Sequence, residues 1–119
     1  MIGRVRDRGT FEALRRGGRR ARRGPVTVTY LPAGSGEASV RVAFGVSRKV
    51  GNAVVRNRLR RQLRSIMRGL DQGTDGLSPG VYLITTRPDV ASASYAQLAG
   101  DVTAAVADSV SRFSGKLSP

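Results

Sequence analysis

RVAFGVSRKVGNAVVRNRLRRQLRSIMR (Arg41–Arg68) changes its hydrophobic period part-way along, and that change sets the architecture around it. From Val40 to Ser47 the residues alternate, with Val40, Val42, Phe44 and Val46 on one side and Arg41, Ala43, Gly45 and Ser47 on the other. Successive side chains of a strand point to opposite faces, so this reads as a half-buried strand. From about Asn52 to Leu70 the period lengthens to that of a helix. At about 100° per residue, Val55, Leu59, Leu63, Ile66, Met67 and Leu70 fall within an arc of about 120°. Asn57, Arg60, Arg61, Arg64 and Arg68 share an adjacent arc of about 100°, with Arg58 on the far side and Arg56 at the margin of the apolar stripe. One flank packs, and its neighbour presents a row of guanidinium groups. An exposed helix ordinarily intersperses Glu to form i, i+4 pairs, yet no acidic residue stands between Asn52 and Leu70. Such a row repels itself unless a polyanion lies against it.

Downstream, GLDQGTDGLSPG (Gly69–Gly80) reads as a Gly-rich loop, and VYLITT (Val81–Thr86) is apolar on both faces, the pattern of an interior strand closed by Pro88. Ser94 and Gln97 have capping-box spacing and start a last helix. Its stripe of Tyr95, Leu98, Val102, Ala105, Val106, Val110 and Phe113 is expected to lie on the sheet. Upstream, VTVTYL (Val26–Leu31) alternates like a strand, and PAGSGEA (Pro32–Ala38) is turn chemistry. Two alternating strands joined by such a loop predict an antiparallel pair. TFEALRR (Thr10–Arg16) predicts a short helix stopped by Gly17 and Gly18. GRRARRG (Gly18–Gly24) reads as a solvated basic run, residues 1–9 as a mobile basic arm, and residues 114–119 as a short tail. The expected fold is a two-layer sandwich of the α+β or α/β kind, a small mixed sheet against about three helices. All 119 residues fall in a single domain large enough to bury a core.

Charge says most about partners. The chain has 21 basic and 8 acidic residues, a net charge of +13. Residues 1–68 hold 18 Arg and Lys against 3 Asp and Glu, whereas 69–119 hold 3 against 5. Nineteen of the 21 cations are Arg, whose planar fork matches phosphate oxygens and stacks on bases. A field of this sign and density predicts a nucleic-acid partner. No segment approaches the roughly 20 apolar residues that span a bilayer, and MIGRVRDRGT lacks the apolar stretch of a signal peptide. A cytoplasmic protein with no membrane partner is expected.

A protein-borne catalytic site is not expected. Cysteine and histidine are absent, which removes soft and imidazole metal ligands and the usual general base. Asp71, Asp75, Asp89, Asp101 and Asp108 are scattered over loops and the last helix rather than clustered for metal ions. Gly45 and Gly51 flank GVSRKVG, which lacks the Gly-Lys-Ser/Thr ending of a nucleotide loop and reads as a tight strand-to-helix connection. No helix-turn-helix, zinc-finger or zipper pattern supports DNA binding, so DNA is not an expected partner. A ribosomal or other structural RNA-binding protein would show a similar charge and helix.

KVGNAVVRNRLRRQLR (Lys49–Arg64), with Arg56-Asn57-Arg58 at its centre, resembles the signature of the bacterial ribonuclease P protein family. FEALRRG (Phe11–Gly17), RVAFGVSRKVG (Arg41–Gly51) and VYLITTRP (Val81–Pro88) resemble the family's flanking segments in order and spacing, so that the likeness spans roughly residues 4 to 113. The resemblance implies a left-handed βαβ crossover, a handedness that patterning alone would not suggest. It implies a protein subunit that binds a catalytic RNA and the single-stranded 5′ leader of precursor tRNA. In such an enzyme the RNA removes the leader with Mg²⁺ in an RNA-based active site, and the protein holds no cofactor. Carried over by position, Lys49, Asn52, Arg56, Asn57, Arg58, Arg60, Arg61, Arg64 and Arg68 are the expected contacts with the RNA subunit. Phe11, Arg15, Val28, Tyr30, Phe44, Ser47 and Arg48 are the expected lining of a leader cleft, although Phe11, Val28 and Phe44 would serve equally as core. Many family members have an aromatic residue one helical turn after Phe11, where this chain has Arg15. Aromatic platforms beside a positive groove are how single-stranded RNA is commonly held.

Overall fold

The long helix starts where the sequence changes period, because Asn52 caps it: its side-chain oxygen accepts from the Val55 N–H at 3.0 Å. In the computed structural model, which describes residues 2–34, 39–74 and 76–114, this helix is α2 (Ala53–Asp71). Ahead of it in the chain lie β1 (Ile2–Arg4), α1 (Arg8–Gly17), β2 (Arg19–Arg23), β3 (Val26–Pro32) and β4 (Val40–Gly45). Behind it come β5 (Gly80–Thr86) and α3 (Tyr95–Ser114). The capping box of α3 forms in both directions: Gln97 N–H donates to Ser94 Oγ at 3.1 Å, and Ser94 N–H donates to Gln97 Oε1 at 2.9 Å.

The five strands make one mixed sheet in the order β1-β4-β5-β3-β2. β4 and β5 run parallel, joined through α2, while β3 pairs antiparallel with β5 and with β2. β3 and β4 are therefore not the antiparallel pair that their loop suggested. β5 is apolar on both faces and needs a partner on each edge, so it inserts between them. The segment joining β3 to β4 has then only two strand spacings, about 10 Å, to cross.

Two further expectations are corrected. GRRARRG is not a solvated run, since Arg19–Arg23 forms β2 with Ala21 buried opposite Val28. Residues 1–9 are not simply a mobile arm: Ile2–Arg4 pairs parallel with Val40–Val42, and α1 begins at Arg8. Asp7 caps α1, its carboxylate accepting from the Thr10 N–H and hydroxyl at 2.9 and 2.8 Å. These bonds, the hydroxyl's first, hold the Asp7 carboxyl below its ordinary pKa. Of the expected tail, Ser114 ends α3, while residues 115–119 lie outside the described residues, as do 35–38 of the β3–β4 turn.

The pleat sorts the sheet into two faces. Val26, Val28 and Tyr30 of β3, Val40 and Val42 of β4, and Tyr82 and Ile84 of β5 face α2 and α3. There they meet Leu59, Leu63, Ile66 and Met67 of α2 and Leu98, Val102, Ala105 and Val106 of α3, all buried. Tyr95 departs from its expected stripe, standing 47% exposed with its hydroxyl bonded to Ser65 Oγ at 3.3 Å. Tyr30 and Tyr82 donate their hydroxyls to the Pro79 and Ser78 carbonyls, both at 2.7 Å, so the segment leading into β5 is held by two core phenols. Burial raises the pKa of both phenols, that of Tyr82 most, so they stay neutral donors. The opposite face carries Thr29 and Leu31 and is partly covered by α1, whose Leu14 is buried. A Cβ at Gly18 would come within 2.6 Å of the Thr29 side chain, so α1 lies close against the sheet there.

Two substitutions test this packing. Leu63→Ala removes a fully buried side chain and is expected to cost about 2–5 kcal/mol, read as a lower urea midpoint with unchanged slope. Gly80 has φ +147°, and a Cβ there would run into the Leu31 carbonyl across the β3–β5 ladder. Gly80→Ala should cost more than about 1 kcal/mol in the same titration; a wild-type midpoint would contradict the pairing of Gly80 with Pro32.

Candidate nucleic-acid interface

α2 carries its cations as the wheel predicts. Leu59, Leu63, Ile66 and Met67 are buried, Val55 and Leu70 half-buried, and Asn57, Arg58, Arg61 and Arg68 exposed. Near the start of the helix, Arg56 folds back and its Nε donates to the Gly51 carbonyl at 3.2 Å, bracing the turn that leads into α2. Ser47, Arg48 and Lys49 are exposed beside that turn, and Ser47 Oγ accepts from the Lys49 N–H at 3.2 Å. Arg60 Nη1 donates to Asn57 Oδ1 at 3.3 Å, fixing the first guanidinium of the row.

Farther along, Arg60, Arg64 and Arg68 line one side of a concavity of about 750 Å³. Its opposite wall is Ile2–Val5 together with Phe11 of α1, and its floor includes Val42, Ala43, Phe44 and Met67. The Arg64 guanidinium sits over the Phe44 ring, 5.9 Å from its centroid, so a cation and an aromatic face are already held together. Residues expected on two separate surfaces thus meet: Arg60, Arg64 and Arg68 from the RNA-subunit set, Phe11 and Phe44 from the leader set. Lys49, Asn52, Arg56, Asn57, Arg58 and Arg61 do not line this concavity, and neither do Ser47 and Arg48. Arg15 is exposed one turn after Phe11, on the same flank of α1.

Val28 and Tyr30 do not line a cleft. They are 0% and 4% exposed, because their register places them on the sheet face that packs against the helices. The Tyr30 ring lies 4.8 Å from Tyr82 and 5.7 Å from Phe113, centroid to centroid. The accessible side of β3 is the other one, where Thr27 and Leu31 are half-buried. Sequence reasoning missed the β1 wall, and Asp71 and Gln72 at the far end of the concavity. Their helical spacing from Arg64 and Arg68 was the available signal for that end; a three-residue strand offered none.

The arrangement can neutralise phosphates along the Arg row and stack an unpaired base against Phe11 or Phe44. Among the described residues, no group of three or more His, Cys, Asp or Glu could hold a metal ion. No described helix is long and apolar enough to cross a membrane.

Comparison with known proteins bears on the family and the fold. The family described as Ribonuclease P matches residues 3–109. A ribonuclease P protein component from Nocardioides sp. is 43% identical over 102 residues, covering 83% of this chain and 84% of the relative. One from Streptomyces avermitilis is 39% identical over 112 residues, covering 87% and 88%. The Staphylococcus aureus RNase P protein superposes with a TM-score of 0.76 over 87% of this chain and 91% of its own, at 17% identity, which speaks to the fold. With the profile spanning nearly the whole chain and relatives this similar over most of both lengths, the chain belongs to the ribonuclease P protein family.

Proposed function

We propose that this chain is the protein subunit of a ribonuclease P ribonucleoprotein, binding the catalytic RNA and the single-stranded 5′ leader of precursor tRNA while the leader is removed. The observation that carries this reading is the meeting of Arg60, Arg64 and Arg68 with Phe11 and Phe44 around one concavity. Folded RNA satisfies the outward cations Arg58 and Arg61 and the group near the helix start, Lys49, Asn52, Arg56 and Asn57, with Ser47 and Arg48 beside them. The leader occupies the concavity, its phosphates on the Arg row and a base against Phe11 or Phe44. Hydrolysis belongs to the RNA with Mg²⁺: the chain has no histidine, and among the described residues its carboxylates form no cluster that could hold metal ions. Such an assembly works in the cytoplasm.

Adding the protein to its cognate RNA at low Mg²⁺ should strengthen binding and cleavage of precursor tRNA but not binding of leaderless tRNA. Equal stimulation by an unrelated protein of similar charge would defeat the proposal. Replacing Arg60, Arg64 and Arg68 by Ala should flatten the salt dependence of precursor binding by about 0.7 slope unit per lost single-strand phosphate contact, with an unchanged circular dichroism spectrum. Phe11→Ala should weaken binding of leader-bearing substrate by about 1–3 kcal/mol, the worth of one stacked base, and leave mature tRNA nearly unaffected. An equal loss on both substrates would show Phe11 to be core instead.

A further inference from the structure

α2 turns a second flank outward, away from the concavity. Val54, Arg58, Arg61 and Ser65 follow one another at i, i+4, i+7 and i+11, so they form one stripe about 16 Å long on the helix surface. All four are exposed, and none of them lines the concavity. Neither Arg58 nor Arg61 has a carboxylate partner among the described residues. At its far end the stripe meets α3, where the Tyr95 hydroxyl donates to Ser65 Oγ at 3.3 Å.

Among the described residues, the large hydrophobic side chains that stand exposed are Val54 and Tyr95, at 73% and 47%. A lone exposed apolar residue needs no explanation, but these two bracket the pair of guanidinium groups on one stripe. Tyr95 also differs from the other tyrosines of the chain, since Tyr30 and Tyr82 are buried in the core. It is fixed at both ends: the Ser94–Gln97 capping box sets its backbone at the start of α3, and Ser65 holds its hydroxyl. A ring held in this way has little rotamer freedom left to lose on binding. No acidic residue lies in 52–70 or in 90–100, the two segments that meet here.

We propose that Tyr95 is a stacking platform for an unstacked base of the RNA subunit, whose backbone runs from there over Arg61 and Arg58 towards Val54. The inference rests on the reading of this chain as an RNA-binding subunit, and it adds a base contact from α3 to a surface that otherwise offers charge. The occupant follows from the mixture of groups. An aromatic ring takes a base of any kind, and guanidinium forks take phosphate oxygens. Arg61 lies about 6 Å along the helix axis from Ser65, and Arg58 about 10 Å, so one strand can engage the ring and both cations. The Arg60, Arg64 and Arg68 flank stands about 90° away round the helix. A strand on Tyr95 therefore leaves the concavity open to the leader.

The test measures binding of the full chain to its cognate catalytic RNA with no tRNA present, so that the leader plays no part. Tyr95→Leu should weaken this binding by at least about fivefold, the lower end of what one stacked base contributes, and leave its salt dependence unchanged because no phosphate contact is lost. Arg58→Gln/Arg61→Gln should instead lower the salt slope, by about 1.4 for two single-strand phosphate contacts. Ser65→Ala and Tyr95→Phe each remove the bond between the two side chains but keep a ring, and should retain most of the affinity. Tyr95→Trp should bind at least as tightly as wild type, and its indole, in a chain with no other tryptophan, should be quenched as RNA is added. Unchanged affinity in Tyr95→Leu, or an indole whose emission RNA does not alter, would overturn the proposal. So would an equal loss in Ser65→Ala, Tyr95→Phe and Tyr95→Leu, which would make the tyrosine a brace between α2 and α3. A loss seen only once precursor tRNA is added would assign Tyr95 to the substrate and overturn it too. If wild type prefers its cognate RNA no more than an unrelated duplex, the reading of the chain as this subunit fails, and the proposal with it.

Discussion

The arginines of α2 stand where they do because the adjacent flank of the helix is buried. Like charges at i, i+3 and i, i+4 oppose helix formation by about 0.2–0.5 kcal/mol each. α2 has five such pairs, Arg56/Arg60, Arg60/Arg64, Arg64/Arg68, Arg58/Arg61 and Arg61/Arg64, which together cost about 1–2.5 kcal/mol. Burying Leu59, Leu63, Ile66 and Met67 contributes about 1.5–3 kcal/mol apiece, several times the repulsion. Core packing therefore wins, and the charge is left as a fixed field aimed outward. A polyanion would relieve the remaining repulsion, so on the proposed reading the residues that destabilise the free helix are the ones that favour the complex.

The parts of the fold legible in sequence are those in which one element carries its own signal. α2 shows a 3.6-residue period over five turns, β5 an unbroken apolar run, and α3 a capping box whose two bonds form. β2 is illegible because RRARR has a single apolar residue, Ala21. It is a strand because β3 has a free edge to fill, and Gly24 at φ +54° turns the chain back onto it. The pairing of β3 escapes sequence for a related reason. Loop chemistry between two strands is a local signal, whereas insertion of β5 between them is decided by long-range burial, which outweighs it.

The site divides along the same line. Helical period marks the Arg60, Arg64 and Arg68 flank directly. Phe11 and Phe44 enter only through resemblance to a family, and nothing in their local pattern distinguishes lining from core. Strand alternation assigns Val28 and Tyr30 to one face and Thr27 and Thr29 to the other without saying which face the helices will cover. Aromatic content favours the Tyr30 side, and that side is the buried one, its phenol committed to the Pro79 carbonyl. In β2 the pleat separates Arg19 and Arg23, which meet Phe113 and Asp108 of α3, from Arg20 and Arg22, which have no carboxylate partner among the described residues.

A cationic surface alone would bind duplex and single strand alike, since phosphate neutralisation carries no information about base pairing. Discrimination requires a place that a paired base does not reach. On the proposed reading the concavity between β1, Phe11 and α2 supplies one: Phe11 and Phe44 line it, the Arg64 guanidinium sits over the Phe44 ring, and an unstacked base can lie there against an aromatic face. Rigidity matters as much as chemistry, because an aromatic platform free to collapse onto Met67 would close the space it is meant to offer. Phe44 is held by the β4–β5 ladder, and the segment entering β5 is pinned by Tyr30 and Tyr82. The two core phenols thus serve the site without touching it, keeping the strand behind Phe44 in register while the arginines supply the attraction.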